Sequence, residues 1–318
     1  MGNCWHIKNW FRVGRKISWK LNFYTLNGFL YLYRPFQREF NYNQAEKKHR
    51  FVLSYLKKEL NDIIEQYKNI HECKQKGNNA NYIWTLWWQG VDSAPPLVKA
   101  CINTMQQNAN GAKLVIITKD NYKDYIKLPD YIISKREKGY ISFAQLSDII
   151  RFSLLRKYGG LWLDSTVFVS KPIPKSYFYM PFFSQHTKWQ KTCFVQHNLY
   201  HGFIVGSMPN GKLASFMQDC FFRYWGKNDV LIDYLMIDYL IYIAYLEFDD
   251  IHKEIDSLDY SSERLYDLVK MLNQPFDKSY FDALRDECIF SKLDWHKKYK
   301  MKVKGQNTFY STIIKQNY

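Results

Sequence analysis

Residues Ser147 to Val169 read SDIIRFSLLRKYGGLWLDSTVFV, an apolar helix joined to a hydrophobic strand through a Gly-Gly break, with carboxylates inside both elements. At helical spacing Leu146, Ile149, Ile150, Ser153 and Leu154 share one stripe. Asp148 and Arg151 fall on the other side, within reach of each other. Phe152 and Leu155 share that side, so it is not a simple solvated face. Gly159 and Gly160 supply the left-handed conformation that ends a helix. In the strand, alternation sets Trp162, Asp164 and Thr166 on one face and Leu161, Leu163, Ser165 and Val167 on the other. An aspartate in so hydrophobic a run is costly unless a cation or several donors compensate it.

Strand–helix alternation begins earlier, at Tyr82. Tyr82–Trp88 reads as an aromatic strand and Gln89–Asp92 as the loop after it. Pro95 and Pro96 open a helix to about Gln107, Lys113–Thr118 is a fully apolar buried strand, and Lys119–Ile126 a short helix. This order predicts an α/β domain whose central sheet carries parallel strands, with its ligand site at their carboxyl ends. Asp164, late in its strand, obeys that rule. Downstream, Phe182–Ser184, Cys193–Gln196 and Phe203–Gly206 read as short strands, and Lys212–Trp225 and Asp229–Phe248 as helices. The second of these helices is apolar nearly all round, hence buried; Asp233 and Asp238 within it argue against a membrane span. Ser262–Leu272 is a further helix. Upstream, residues 43–70 form one long amphipathic helix with Phe51, Tyr55, Ile63 and Tyr67 on its apolar side. The polar run 74–79 ends it and divides the chain into a helical N-terminal segment, 1–78, and a domain, 79–318.

A chain of 318 residues with 47% hydrophobic and 18% aromatic content is globular, not disordered. No run approaches the roughly 18 apolar residues of a membrane span, and the N-terminus lacks a secretory signal. The cysteines, Cys4, Cys73, Cys101, Cys193, Cys220 and Cys288, show no C-x-x-C spacing and read as reduced thiols in a cytoplasmic protein. The net charge of +15 asks for an anionic partner. No zinc finger, RNP motif or KH loop is visible, so nucleic acid is not expected. Residues 1–40 interleave Lys and Arg with Trp5, Trp10, Phe11, Trp19, Phe23 and Tyr24, a composition suited to the inner face of a membrane or to a helical cap on the domain. Met-Gly-Asn-Cys resembles an acylation signal, but His6 replaces the needed hydroxyl residue. The remaining histidines show no metal-ligand spacing.

The run S-D-x-x-R-x-x-L-L-x-x-Y-G-G-x-W-x-D-x-T, from Ser147 to Thr166, resembles the signature of the capsular polysaccharide synthesis glycosyltransferases, relatives of the D-x-D sugar transferases. It departs from D-x-D at Thr166, a form shared by capsule-type relatives that leaves one carboxylate where others have two. The resemblance covers most of 80–300. It implies a GT-A-like domain with a central mixed sheet flanked by helices, acting on a nucleoside-diphosphate sugar, most simply a UDP-sugar. The sugar would pass to a capsular or surface polysaccharide or a lipid-linked glycan, with retention of configuration. A non-catalytic protein binding nucleotide-sugars or polyanions is the alternative, since Thr166 also suits a decayed metal site.

By the same resemblance Asp164 holds Mn2+ or Mg2+ against the diphosphate, with Thr166 beside it and His296 as a further ligand. Asp148 and Arg151 contact the donor sugar; as an internal ion pair they also fix the helix on the sheet. Trp87, just before Gln89 and Gly90, stacks on the base, while Trp88 is core. Trp162 lines the ribose or phosphate pocket or is a plain core ring. Asp238, in the D-Y-x-x-x-D-Y element Asp233–Tyr239, belongs to the sugar or acceptor side. Lys292, Trp295 and Lys297 lie in a C-terminal loop over the diphosphate, or in a solvated basic tail.

Overall fold

A computed structural model describes residues 42–70, 81–188, 190, 192–316 and 318. The basic aromatic segment 1–40, Cys4, Cys73 and the polar run 74–79 lie outside the described residues.

Two helices, α1 (Tyr42–Glu59) and α2 (Asn61–Lys68), precede β1 (Tyr82–Leu86), α3 (Pro96–Gln107), β2 (Lys113–Ile117), α4 (Tyr122–Tyr125) and α5 (Asp130–Glu137). Then come α6 (Phe143–Tyr158), β3 (Gly160–Leu163), β4 (Val167–Val169), β5 (Phe182–Ser184) and β6 (Ile204–Ser207). Helices α7 (Lys212–Lys227), α8 (Met236–Glu247), α9 (Asp249–Asp256), α10 (Asp267–Met271) and α11 (Lys278–Glu287) follow, and β7 (Phe290–Lys292), the hairpin β8 (Lys302–Val303) and β9 (Gln306–Asn307), and α12 (Phe309–Lys315) close the chain.

The central mixed sheet runs β2-β1-β3-β6-β5. Strands β2, β1 and β3 are parallel, with Trp84 opposite both Val115 and Trp162, whereas β6 and β5 run antiparallel. The carboxyl ends of the three parallel strands therefore share one edge, and Asp164 follows β3 directly onto it. Alternation in β3 is as expected: Trp162 joins the core on the α6 side, and Leu161 and Leu163 join the core on the opposite side. Helix α6 is buried around most of its surface, including Asp148 and Arg151, because it lies between the sheet and α7. The Ser142 hydroxyl caps its start by accepting from the Gln145 N–H at 3.2 Å. Gly159 at φ 64° and Gly160 at φ 96° end it.

Five expectations change. The strand through Asp164 is broken: Asp164–Thr166 is a turn, closed by the Val167 N–H on the Asp164 carbonyl at 2.8 Å, and β4 pairs with β7 in a second sheet. The helix expected over 43–70 breaks at Leu60, which turns into the core. That break lets Val52 and Leu56 face α8 while Ile63, Ile64 and Tyr67 face α7. The apolar helix starts at Met236 and spans 12 residues, because the Asp233 carboxylate accepts the Leu235 N–H at 2.9 Å and pairs with Lys48 at 2.5 Å, holding a turn. Among the described residues no helix is long and apolar enough to cross a membrane. Finally, β2 is an edge strand and only half-buried, and Cys193–Gln196 is a turn, not a strand. Cys101, Cys220 and Cys288 are free thiols.

Gly160 has a positive φ and packs so closely on β1 that a Cβ would collide with the Tyr82 carbonyl, whereas Gly305, in the β8–β9 turn at φ 79°, faces open space. Gly160→Ala should lower the unfolding free energy by about 2–4 kcal/mol against about 1–2 kcal/mol for Gly305→Ala, measured by denaturant titration. Equal losses would contradict the close β1–β3 approach.

Candidate active site

The edge where the parallel strands end opens into a cavity of about 640 Å3. Helix α6 supplies its floor, the Asp164–Thr166 turn its centre, the start of α8 one wall, and the segment from Lys292 to Lys297 the facing wall. That volume suits a ligand of nucleotide-sugar size.

Arg151 is the hub. Its Nη2 pairs with Asp148 Oδ1 at 3.2 Å and donates to Asp164 Oδ1 at 3.0 Å, and its Nη1 donates to the Gly202 carbonyl. The guanidinium lies 4.9 Å from the Trp162 ring centre, and the Trp162 indole N–H donates to Asp164 Oδ1 at 2.9 Å. The second Asp164 oxygen accepts from the Lys292 ammonium at 2.8 Å, and the same ammonium donates to the Thr166 hydroxyl at 2.9 Å. The Gln145 amide reaches Asp148 Oδ2 at 3.2 Å and the Tyr234 carbonyl at 3.3 Å, tying α6 to the turn before α8. Asp238, in the first turn of α8, faces the same space, with its carboxylate against Gly202, where a Cβ would crowd it.

These neighbours set the protonation of the three acids in opposite directions. Burial alone would raise Asp164, but the Lys292 and Arg151 cations outweigh it and hold its carboxyl below the ordinary range. Burial raises Asp148 to about 7, with Arg151 opposing and Asp164 assisting. Burial also raises Asp238 to about 7, with the Asp148 charge adding to it and Arg151 opposing. The pair Asp148–Asp238 therefore takes up protons near neutrality as one coupled unit.

Of the residues singled out in the sequence, Asp148, Arg151, Trp162, Asp164, Thr166, Asp238, Lys292, Trp295, His296 and Lys297 all line the cavity. Trp87 and Gln89 do not. Trp87 packs with Val98 and Ile102 and sets its ring edge-on to Trp295 at 5.5 Å, while Gln89 is exposed in the loop after β1. Tyr234 precedes α8, so it does not share a helix face with Asp238. His296 Nδ1 lies 3.3 Å from Asp294 Oδ1, on an exposed side chain. Among the described residues no three His, Cys, Asp or Glu side chains converge as a metal-holding group. The oxygens of Asp164 and Thr166 that would face an ion meet the Lys292 ammonium instead, so these side chains do not fit Mn2+ or Mg2+ as protein-held ligands. The sequence reading missed Gln145, Phe203 and Tyr266. Gln145 lies one helical turn before Asp148, a legible signal; Phe203, just before β6, and Tyr266, at the end of the 3-10 turn before α10, are aromatics with nothing to mark them for the site.

A family model described as capsular polysaccharide synthesis protein matches residues 34–313. No curated protein matches the chain.

The raised carboxyls set a pH dependence. With an ordinary value of 3.8 and a folded value of about 7, Asp238 binds its proton more tightly in the folded state, so its contribution to stability is lost as pH rises between these values. Asp238→Asn removes that loss. Relative to wild type, the variant should gain roughly 1–3 kcal/mol between pH 4 and pH 8, read from urea midpoints. Parallel profiles would show that Asp238 titrates normally.

Proposed function

The chain belongs to the capsular polysaccharide synthesis protein family, and from that premise we propose that it is a glycosyltransferase. It moves a sugar from a nucleoside-diphosphate donor, UDP-linked in the simplest case, to a growing capsular or surface polysaccharide or lipid-linked glycan, with retention of configuration. The observation that carries this reading is one acid between two cations at the strand ends: Asp164 held by Arg151 and Lys292, with Lys297 on the same wall. Such a site receives a dianionic leaving group and stabilises its charge as the glycosidic bond breaks.

In this reading Asp148, fixed by Arg151 and Gln145, accepts hydrogen bonds from donor-sugar hydroxyls. Trp295, 37% exposed, stacked on His296 at 4.1 Å and T-shaped to Trp87, lines the side of the cavity that takes the base. Asp238, with its carboxyl near neutrality, orients the acceptor hydroxyl in the same cavity. No protein nucleophile is assigned, so retention requires that hydroxyl to attack on the face from which the diphosphate leaves.

The alternative, a non-catalytic nucleotide-sugar or polyanion binder, draws on the hydroxyl of Thr166 standing where D-x-D proteins have a second acid. A panel of UDP- and GDP-sugars with a glycan acceptor separates the two. Turnover of one donor, falling by about 100-fold or more in Asp164→Asn while its binding persists, is expected. Tight binding of a donor without turnover supports the binder instead.

Residues 1–40 are proposed to hold the enzyme at the inner face of the membrane. The full chain should sediment with anionic vesicles in a salt-sensitive way, and a chain beginning at residue 42 should not. Equal sedimentation would assign the segment another role.

A further inference from the structure

We propose that the Lys292 ammonium is the cation of the diphosphate subsite, so that the donor's nucleoside diphosphate binds this protein without a divalent metal. The inference rests on the nucleotide-sugar reading above.

The ammonium is built into the site, not swung over it. Strand β7 pairs Lys292 with Val167 of β4, and the next residue, Leu293, donates its N–H to the Thr166 carbonyl at 2.9 Å. The pairing brings the Lys292 backbone alongside the strand that follows the Asp164–Thr166 turn. From there the side chain carries its ammonium to 4.7 Å from the Phe203 ring centre, within hydrogen-bond reach of Asp164 and Thr166. An ammonium has three donors. Two are used, on Asp164 Oδ2 and Thr166 Oγ1, and among the described residues no acceptor takes the third. The side chain keeps 22% of its surface exposed, towards the cavity.

Thr166 is what makes this arrangement possible. A hydroxyl accepts one hydrogen bond from the ammonium and leaves its charge intact, whereas a second carboxylate would neutralise it. Asp164 is likewise committed: Oδ1 takes Arg151 and Trp162, and Oδ2 takes Lys292. A hard divalent ion needs several free oxygen ligands, and here it would have to displace Lys292 while repelled by Arg151. A diphosphate meets the opposite situation. Arg151 and Lys292 bring two positive charges against the Asp164 carboxylate they share; Asp148, the other acid on Arg151, has its carboxyl raised by burial and so offsets them only in part, and a phosphate oxygen can take the unused N–H.

Calorimetry of the full chain with UDP, in EDTA and then in MnCl2, tests the proposal. Wild type should bind with affinities within about twofold in the two conditions, since the ammonium already provides the charge. Lys292→Ala should weaken UDP in EDTA by roughly tenfold or more, Mn2+ should not restore it, and Lys292→Arg should retain most of the affinity. Thermal melts of each variant confirm the folded state. UDP binding that appears, or tightens about tenfold, only with Mn2+ overturns the inference while leaving the nucleotide-sugar reading intact. Unchanged affinity in a folded Lys292→Ala also overturns the inference alone. UDP binding in neither condition removes the reading and the inference together.

Discussion

The carboxylate of Asp164 is the constraint around which the molecule is arranged. It sits where the chain leaves one sheet for another, at a position too enclosed for an uncompensated charge. Compensation comes from α6 through Arg151 and from β7 through Lys292, elements separated widely in sequence. The three charges fix one another: without Asp164 the two cations lose the carboxylate they share, and without either cation the carboxylate loses one of its three partners. Because Arg151 also binds Asp148 and the Gly202 carbonyl, the same contact sets the helix against the loop before β6.

A second pair of acids is tuned the other way. Asp148 and Asp238 approach each other from α6 and α8 in a setting with too few cations to ionise both comfortably. One cavity thus holds a carboxylate kept ionised and two that protonate near neutrality, a separation that allows different tasks for chemically identical groups. Tyr234, which lines the same cavity, has its phenol raised by burial and then by Asp148 and Asp164.

The stretch from Ser147 to Thr166 was legible because its polar residues are anomalies in an apolar run, and anomalies of charge survive whatever the exact strand boundaries turn out to be. Its internal break was not legible. Alternation places side chains on faces but says nothing about which sheet a strand joins, and β4 leaves for β7 because its partner lies in a distant part of the chain. The helix break at Leu60 carried no glycine or proline and follows from two packing directions, towards α8 and towards α7. The short start of α8 came from Asp233 and Lys48 holding a turn, a tertiary contact that helical propensity cannot express. Trp87 and Gln89, expected at the base, show the same limit: the end of β1 borders the cavity through Leu86, but the cavity leans towards Trp295, leaving Trp87 as its support.

The pairing of β7 with β4 has a consequence for the order of events during synthesis. Lys292 and Asp164 are 128 residues apart, so a nascent chain that has already formed the central sheet still exposes an aspartate with only Arg151 to meet it. The cavity gains its second wall only after the stretch from Phe290 to Lys297 has left the ribosome. A long loop must close to achieve this, which makes it a late step. The last wall to arrive is also the one that supplies positive charge. Chains arrested before Phe290 therefore lack both the Lys292–Asp164 ion pair and the wall of the cavity that carries it.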